Sequence, residues 1–261
     1  MKITPHYFVW KLANLYGYLL GWPLFVSLNH LLATLALHGL GYDNADHTGE
    51  DRFITKEIAQ ADIRVALDVG ANIGSYSAKL ATCLSHATIY AFEPARASFS
   101  ALKQTASRFA EIIVPINAAV SDYDGTATLF SHKPLSETAT LEKTILGTPA
   151  LSESVAVRTI DSVVAEYNLT RVDFIKIDTE GFEREVLRGA QETLRTLKPS
   201  YIQFEFNIMH LYRHVTLLEL TELLPGYDFY RLLPHGEIRI DPKRYTSNVF
   251  MFSNIVAKRR S

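Results

Sequence analysis

Four carboxylates crowd into the segment IKIDTEGFERE, residues 175–185, directly after a short apolar run. Such a run that feeds a helix is typical of the carboxyl edge of an open α/β sheet, where ligands bind. Asp178 and Glu180 follow the strand, so we expect them to orient a substrate or accept its proton. Glu183 and Glu185 fall in the first turns of the next helix, and we assign them to the helix dipole and to solvent.

Further titratable side chains follow the next predicted strand. Glu205 ends the stretch SYIQFEF, at the neighbouring position of the same edge. His210 and His214 are spaced i, i+4 and could lie on one face of a helix. Together with Glu205 and Asp178 they could bind a metal. Histidines that are simply exposed or packed are the commoner case, so we predict no metal site. Asp178, Glu180 and Glu205 therefore remain as the candidate catalytic residues.

A glycine-rich turn, LDVGANIGS at 67–75, lies between the first predicted strand and the first helix. Glycines there let a ligand approach the backbone and the N–H groups of the helix start. The nicotinamide pattern G-x-G-x-x-G fails, because Asn72 and Ser75 stand where glycine is required. The chain has instead D-x-G-x-x-x-G, with Asp68, Gly70 and Gly74.

Glu93 ends the second predicted strand, about twenty residues beyond the glycines, where an acid can bind both hydroxyls of a ribose. That role serves NAD and S-adenosylmethionine alike. The acid therefore indicates a nucleoside cofactor without choosing between the two.

Strands and helices alternate along the chain and predict an α/β fold with a parallel sheet. The predicted strands are 64–70, 87–94, 111–121, 172–178 and 200–206, with late strands at 227–233 and 248–258. Between the third and fourth strands we predict a hairpin at 122–130, a loop over the site at 131–152, a strand at 154–160 and a short helix N-capped by Asp161.

The composition fits one α/β domain with additions. The chain has 261 residues, 48% of them hydrophobic, and a net charge of −2. Without a basic excess we expect no nucleic-acid partner. The single cysteine, Cys83, lies in an apolar helix pattern and fits a reducing compartment, so we expect a cytoplasmic protein with Cys83 packed inside it.

Three stretches read together, VALDVGANIGSYS, IYAFEPARASFSAL and FIKIDTEGFEREVLRGAQETL, resemble in order and spacing the FkbM family of S-adenosylmethionine-dependent methyltransferases. NAAVSDYDGTATLF, RTIDSVV and IQFEF match the same family. The resemblance covers residues 49–254, and KIDTEGFE is its most distinctive part.

The resemblance implies a Rossmann-like class I methyltransferase domain over residues 49–261, with a mostly parallel seven-stranded sheet flanked by helices. It implies S-adenosylmethionine as cofactor and a hydroxyl of a sugar, glycan or secondary metabolite as acceptor. The implied cofactor-binding residues are Asp68, Gly70, Asn72, Gly74, Glu93, Ser121 and Asp122, the last two near the adenine. Two alternatives stay open: an NAD-dependent oxidoreductase, and a non-catalytic membrane-peripheral binding protein.

Residues 1–42 lie outside the resemblance. Leu12 to Tyr42 contains no Lys, Arg, Asp or Glu, and aromatic residues are dense before Pro23. The pattern predicts two helices broken near Gly21. An apolar helix face usually packs on a core, so we predict a helical cap on the catalytic domain close to the acceptor cleft, with at most peripheral membrane contact.

Overall fold

The computed structural model describes residues 5–42, 48–109, 111–132, 139–141 and 151–260. Its main sheet has eight strands in the order β10-β9-β11-β8-β7-β1-β2-β3. Neighbours from β3 through to β8 are parallel, and β11, β9 and β10 add antiparallel pairs. The sheet has one strand more than the seven predicted, because β10 forms a hairpin with β9.

The strands have the following bounds: β1 65–69, β2 88–92, β3 113–116, β4 119–120, β5 125–131, β6 151–158, β7 174–177, β8 201–206, β9 227–233, β10 236–239 and β11 253–259. The helices are α1 5–20, α2 26–39, α3 50–56, α4 75–83, α5 96–106, α6 160–166, α7 183–188, α8 191–196, α9 208–212 and α10 217–222.

Helices cover both faces of the sheet and give two apolar layers. On one face α6, α7, α8 and α10 pack on side chains such as Ile175 and Ile177. On the other face α3, α4 and α5 pack around Phe174. Because side chains alternate along a strand, Lys176 of β7 points to the α3–α4 face.

The predicted third strand, 111–121, is two strands in two sheets. β3 ends at Ile116 on the edge of the main sheet, a position that tolerates Pro115 and its missing N–H. The side chain of Asn117 then donates to the carbonyls of Glu93 and Pro94 and turns the chain away. β4 therefore pairs with β6 in a separate sheet of order β4-β6-β5.

Asp161 is not the N-cap predicted for α6 but lies in the first turn of that helix. The N-cap of α6 is Thr159, whose side chain accepts from the Ser162 N–H. The Asp161 carboxylate instead accepts from the backbone N–H groups of Glu192 and Thr193. It therefore caps α8 and ties two helices together.

The N-terminal helices do not pack on the domain as predicted. No residue of α2 is buried, and the large apolar side chains of α1 from Phe8 onward are mostly exposed. Contact with the domain begins at Leu40, whose carbonyl accepts from the Arg231 side chain at 3.3 Å. Tyr42 is buried, and its hydroxyl donates to the Thr246 carbonyl at 2.7 Å. The guanidinium of Arg231 lies 3.7 Å from the centre of the Tyr42 ring.

Candidate active site

A cavity of about 500 Å³ opens at the carboxyl edge of the parallel strands. The predicted site residues that line it are Gly70, Asn72, Glu93, Asp178, Glu180 and Glu205. Ala139, Thr140 and Leu141 also line it, and they belong to the predicted loop at 131–152. The rest of that loop after His132 and before Leu151 lies outside the described residues. No described residue before Glu50 lines the cavity.

Gly70 brings the glycine turn against the acidic segment. Its φ of 83° lies in the left-handed region, and a Cβ there would come within 1.8 Å of the Asp178 carbonyl oxygen. Only glycine fits this approach. Gly74 has a packing role, since a Cβ would come within 2.8 Å of the Leu102 side chain in α5. Gly74 is the N-cap of α4 and does not line the cavity.

The Glu93 carboxylate accepts two backbone hydrogen bonds, one of them from the glycine turn. One carboxylate oxygen accepts from the Asn72 N–H at 2.9 Å and the other from the Ala95 N–H at 2.8 Å. The side chain is only 7% exposed, and burial raises the pKa of Glu93 to about 7. The group can therefore change its charge near neutral pH.

Asp68 lies beneath the cavity. It is fully buried and accepts from the Ser77 hydroxyl at 2.5 Å, which links β1 to α4. Burial raises the pKa of Asp68, against the attraction of Lys176. Lys176 is also its register partner on β7. Asp68 thus supports the loop from below.

Lys176 forms an ion pair with Asp178 at 2.7 Å. Burial disfavours its ammonium group, yet three surrounding carboxylates outweigh burial and raise the pKa of Lys176. Burial alone would raise the pKa of Asp178, but the ammonium and a hydrogen bond with Glu205 hold it below the usual range. Lys176 is therefore charged, and so is Asp178.

Glu205 is the third carboxyl of this group. It is 9% exposed and accepts from the Asn207 side-chain amide at 2.7 Å. Burial and the adjacent Asp178 charge raise the pKa of Glu205 well above its usual value. This shift favours the protonated form of Glu205 beside Asp178.

Sequence reasoning missed Lys176 and a chain of polar side chains beside it. The Tyr76 hydroxyl donates to Gln203 at 2.6 Å, and Gln203 donates to Glu50 at 2.6 Å. Gln203 is the register partner of Lys176 on β8. The i, i+2 spacing of Lys176 and Asp178 was a usable signal, because it places both on one face of the strand.

Ser121 and Asp122 do not line the cavity. The Ser121 N–H donates to the Arg158 carbonyl, and its hydroxyl contacts Asp122 at 3.3 Å. The preceding residues of the same segment, 118–120, form the cavity wall instead.

Glu183 and Glu185 are buried, contrary to their assignment to solvent. One oxygen of Glu183 accepts from the Thr179 N–H and hydroxyl, and the other lies 2.9 Å from the His210 ring. Glu185 pairs with Arg184 and Arg213. Thr179 and Arg184 are local partners, but His210 and Arg213 come from a segment more than twenty residues away, which local sequence cannot show.

His210 and His214 do not share a helix face. α9 ends at Tyr212, and His214 follows it with a left-handed φ of 54°. In the described part of the chain, no group of three or more His, Cys, Asp or Glu side chains is arranged to hold a metal ion.

Comparison with known families decides between the cofactor classes. Residues 68–230 match the methyltransferase FkbM domain. The chain belongs to this family. The domain is thus an S-adenosylmethionine-dependent methyltransferase domain on a Rossmann-like sheet, as the sequence predicted.

Curated relatives of the FkbM domain act on different molecules. The hexuronic acid methyltransferase AglP of Haloferax volcanii is 27% identical over 66% of this chain and 65% of its own length. The 2-O-methyltransferase NoeI of Sinorhizobium fredii is 27% identical over 66% of this chain and 75% of its own. The 31-O-demethyl-FK506 methyltransferase FkbM of Streptomyces tacrolimicus is 29% identical over 56% of this chain and 71% of its own length. The match thus spans slightly less than two thirds of AglP.

The cavity of this FkbM domain fits S-adenosylmethionine. Its volume lies in the range of cofactor sites, and Gly70, Ala71 and Asn72 of the glycine turn line it. Asn72 lines the cavity, and its side-chain oxygen has no hydrogen-bond partner among the described residues. Five of the seven charged side chains in the lining are acidic, which suits a positively charged ligand.

Proposed function

We propose that the protein methylates a hydroxyl group on a sugar, a glycan or a secondary metabolite. The observation that carries this proposal is the ion pair of Lys176 with Asp178, beside Glu205 and directly across from the glycine turn. This arrangement keeps one carboxylate ionised on the wall of a cavity, where an acceptor hydroxyl can donate to it.

For the cofactor we propose roles for the residues around the glycine turn. Gly70 and Asn72 hold its methionine end, and Glu93 accepts hydrogen bonds from its ribose. Asp68 and Gly74 support the loop, the first through Ser77 and the second through packing on α5. For the adenine we retain the segment of Ser121 and Asp122, with contact through the adjoining wall at 118–120.

When bound, the cofactor supplies a methyl group on a positively charged sulfonium. Asp178 orients the acceptor hydroxyl and accepts its proton as the oxygen gains the new bond to carbon. Lys176 keeps Asp178 ionised before the acceptor arrives. Glu180, from the turn that follows, lines the same cavity and helps to hold the acceptor, and Glu205 positions Asp178 by hydrogen bonding.

The relatives support a hydroxyl acceptor on a sugar or secondary metabolite. Two of them are O-methyltransferases by name, and a third acts on a hexuronic acid. The oxidoreductase alternative lacks the required glycines at Asn72 and Ser75, and the acidic cluster argues against a non-catalytic role.

Methyl transfer by the Asp178→Asn variant tests this proposal. We expect single-turnover transfer of labelled methyl to fall by roughly 10²–10⁴-fold, the usual contribution of a positioned proton acceptor. Cofactor affinity, measured by calorimetry, should stay near that of the native protein. Suitable acceptors are hexuronic acids, oligosaccharides and macrolides.

Asp62→Asn is the matched control, since Asp62 precedes β1 at the opposite edge of the sheet and its side chain is 69% exposed. It should behave like the native protein. Native rates in Asp178→Asn with a productive acceptor would disprove the role of Asp178. Absence of S-adenosylmethionine binding by the native protein would disprove the proposed function as a whole.

A further inference from the structure

Helices α1 and α2 carry apolar side chains that water surrounds. Exposure reaches 81% for Tyr18, 66% for Trp22 and 85% for Leu24. The exposed apolar side chains of α1 form a broad surface: the consecutive residues Phe8, Val9 and Trp10 are each 61% exposed, and Lys11 and Asn14 stand one turn apart on the remaining side. An apolar helix surface this wide that includes tryptophan and tyrosine is typical of contact with a lipid surface.

The polar groups at the break between the helices are satisfied within the segment. The Asn29 side-chain amide donates to the Leu20 carbonyl at 2.8 Å, at the end of α1. The Tyr16 hydroxyl donates to the Asn29 side-chain oxygen at 2.5 Å. Backbone groups in a bilayer must find partners inside the protein, because no water is present there. This internal pairing is what a break at membrane depth requires.

The dimensions favour insertion into one leaflet. Among the described helices, none alone is long and apolar enough to cross a membrane, but α1 and α2 together pass on length and composition, bent by 102° at their junction. A helix of the length of α1 extends about 24 Å, less than the hydrocarbon core of about 30 Å. A bend this sharp returns the chain to the side that it entered.

The surface of the domain beside the C-terminal end of α2 is complementary in charge to anionic lipid. Leu40 lines a second cavity of about 860 Å³, whose walls carry five basic and three acidic side chains. Arg239 and Arg244 are among these; both are exposed, and each forms an ion pair with an acidic neighbour, Asp228 and Asp241, so the cavity wall keeps an excess of two basic side chains. This local basic excess contrasts with the net charge of −2 of the whole chain. Anionic lipid headgroups attract such a surface.

We propose that α1 and α2 form a bent hairpin that inserts into one leaflet of a lipid bilayer. The basic surface of the domain beside the C-terminal end of α2 then faces anionic headgroups. The hairpin binds a lipid surface and does not serve as a lid on the cleft. This inference stands independently of the acceptor and of the proposed methyl transfer.

The tryptophans provide a direct test. The chain has two, Trp10 and Trp22, and both lie in this segment, so intrinsic fluorescence reports on the hairpin alone. Full-length protein is mixed with phosphatidylcholine vesicles that contain phosphatidylglycerol. We expect a blue shift, protection from iodide and strong quenching by brominated acyl chains. Unchanged emission and failure to float with vesicles would overturn the proposal.

Leu32→Glu and Leu151→Glu form a matched pair. The two leucines are 43% and 44% exposed, but Leu151 lies in β6, far from the hairpin. Leu32→Glu should lower vesicle partitioning by about tenfold or more, because burying a carboxylate in lipid is costly; Leu151→Glu should not. Equal partitioning of both variants, a stable dimer that shields the tryptophans without lipid, or cleavage of the segment in the mature protein would each overturn the proposal.

Discussion

At the residue scale, the charge of Glu93 should control cofactor binding. Because the pKa of Glu93 is about 7, a large fraction of the ligand-free molecules carry a proton on Glu93 at neutral pH. Ribose hydroxyls donate better to a carboxylate than to a carboxylic acid. We therefore expect the Kd for S-adenosylmethionine to fall as the pH rises from about 6 to about 8, by at most about tenfold per unit below the pKa.

Calorimetry across that pH range checks this expectation. Glu93→Gln removes the titrating group, so its affinity should be lower than native at high pH and nearly independent of pH. A native Kd that does not change with pH, or a variant that keeps the native slope, would assign the titration to another group.

The same residues show what the sequence could predict about the site. Gly70, Glu93 and Asp178 follow from motif spacing along single elements, and all three line the cavity. The spacing along β7 could also have placed Lys176 beside Asp178, but its pairing with Gln203 could not be predicted in this way, because it depends on the strand register between β7 and β8. Glu50 reaches Gln203 across 153 positions of sequence.

At the element scale, the turn between β7 and α7 is fixed by a buried pair. Glu183 accepts from the Thr179 N–H at 2.8 Å and lies 2.9 Å from the His210 ring, and both ionisable side chains are fully buried. Glu180 and Gly181 in the same turn have left-handed φ values of 53° and 98°. The pair thus holds an unusual backbone path at the cavity wall.

Glu183→Ala should therefore destabilise the protein strongly. It leaves the Thr179 N–H and the buried His210 without their partner, which typically costs about 3–5 kcal/mol. Urea unfolding measures the change. Glu192→Ala is the control, because Glu192 is an exposed helix acid whose loss should leave stability unchanged. Equal urea midpoints of unfolding for the two variants would show that the Glu183–His210 pair does not hold the turn.

Elements with strong local sequence signals were predicted well. Elements whose bounds depend on contacts with residues distant in sequence were not. The fourth parallel strand, predicted at 172–178, is β7 at 174–177. The segment 111–121 divides because Asn117 binds the end of β2, a contact with no local signal. The helix start at Thr159 leaves Asp161 free to cap α8, again through a partner distant in sequence.

At the scale of the whole molecule, the cavity and the N-terminal hairpin belong to separate parts. Described residues that line the cavity begin at Glu50, and α1 and α2 approach the domain only near Tyr42. The sequence pattern favoured packing because apolar helices of water-soluble proteins are usually core elements. It could not show that the apolar side chains of α1 and α2 stay mostly exposed.

Removal of residues 1–40 tests this separation. Because Tyr42 and its contacts with Arg231 and Thr246 remain, we expect the domain to fold and its Kd for S-adenosylmethionine to stay within about twofold of native. Without the exposed apolar side chains, the shortened protein should be more soluble in buffer without detergent. A cap packed on the core would give the opposite result, since its loss would uncover apolar surface and lower both the unfolding temperature and the solubility. Calorimetry, thermal unfolding and sedimentation of the two proteins side by side distinguish these outcomes.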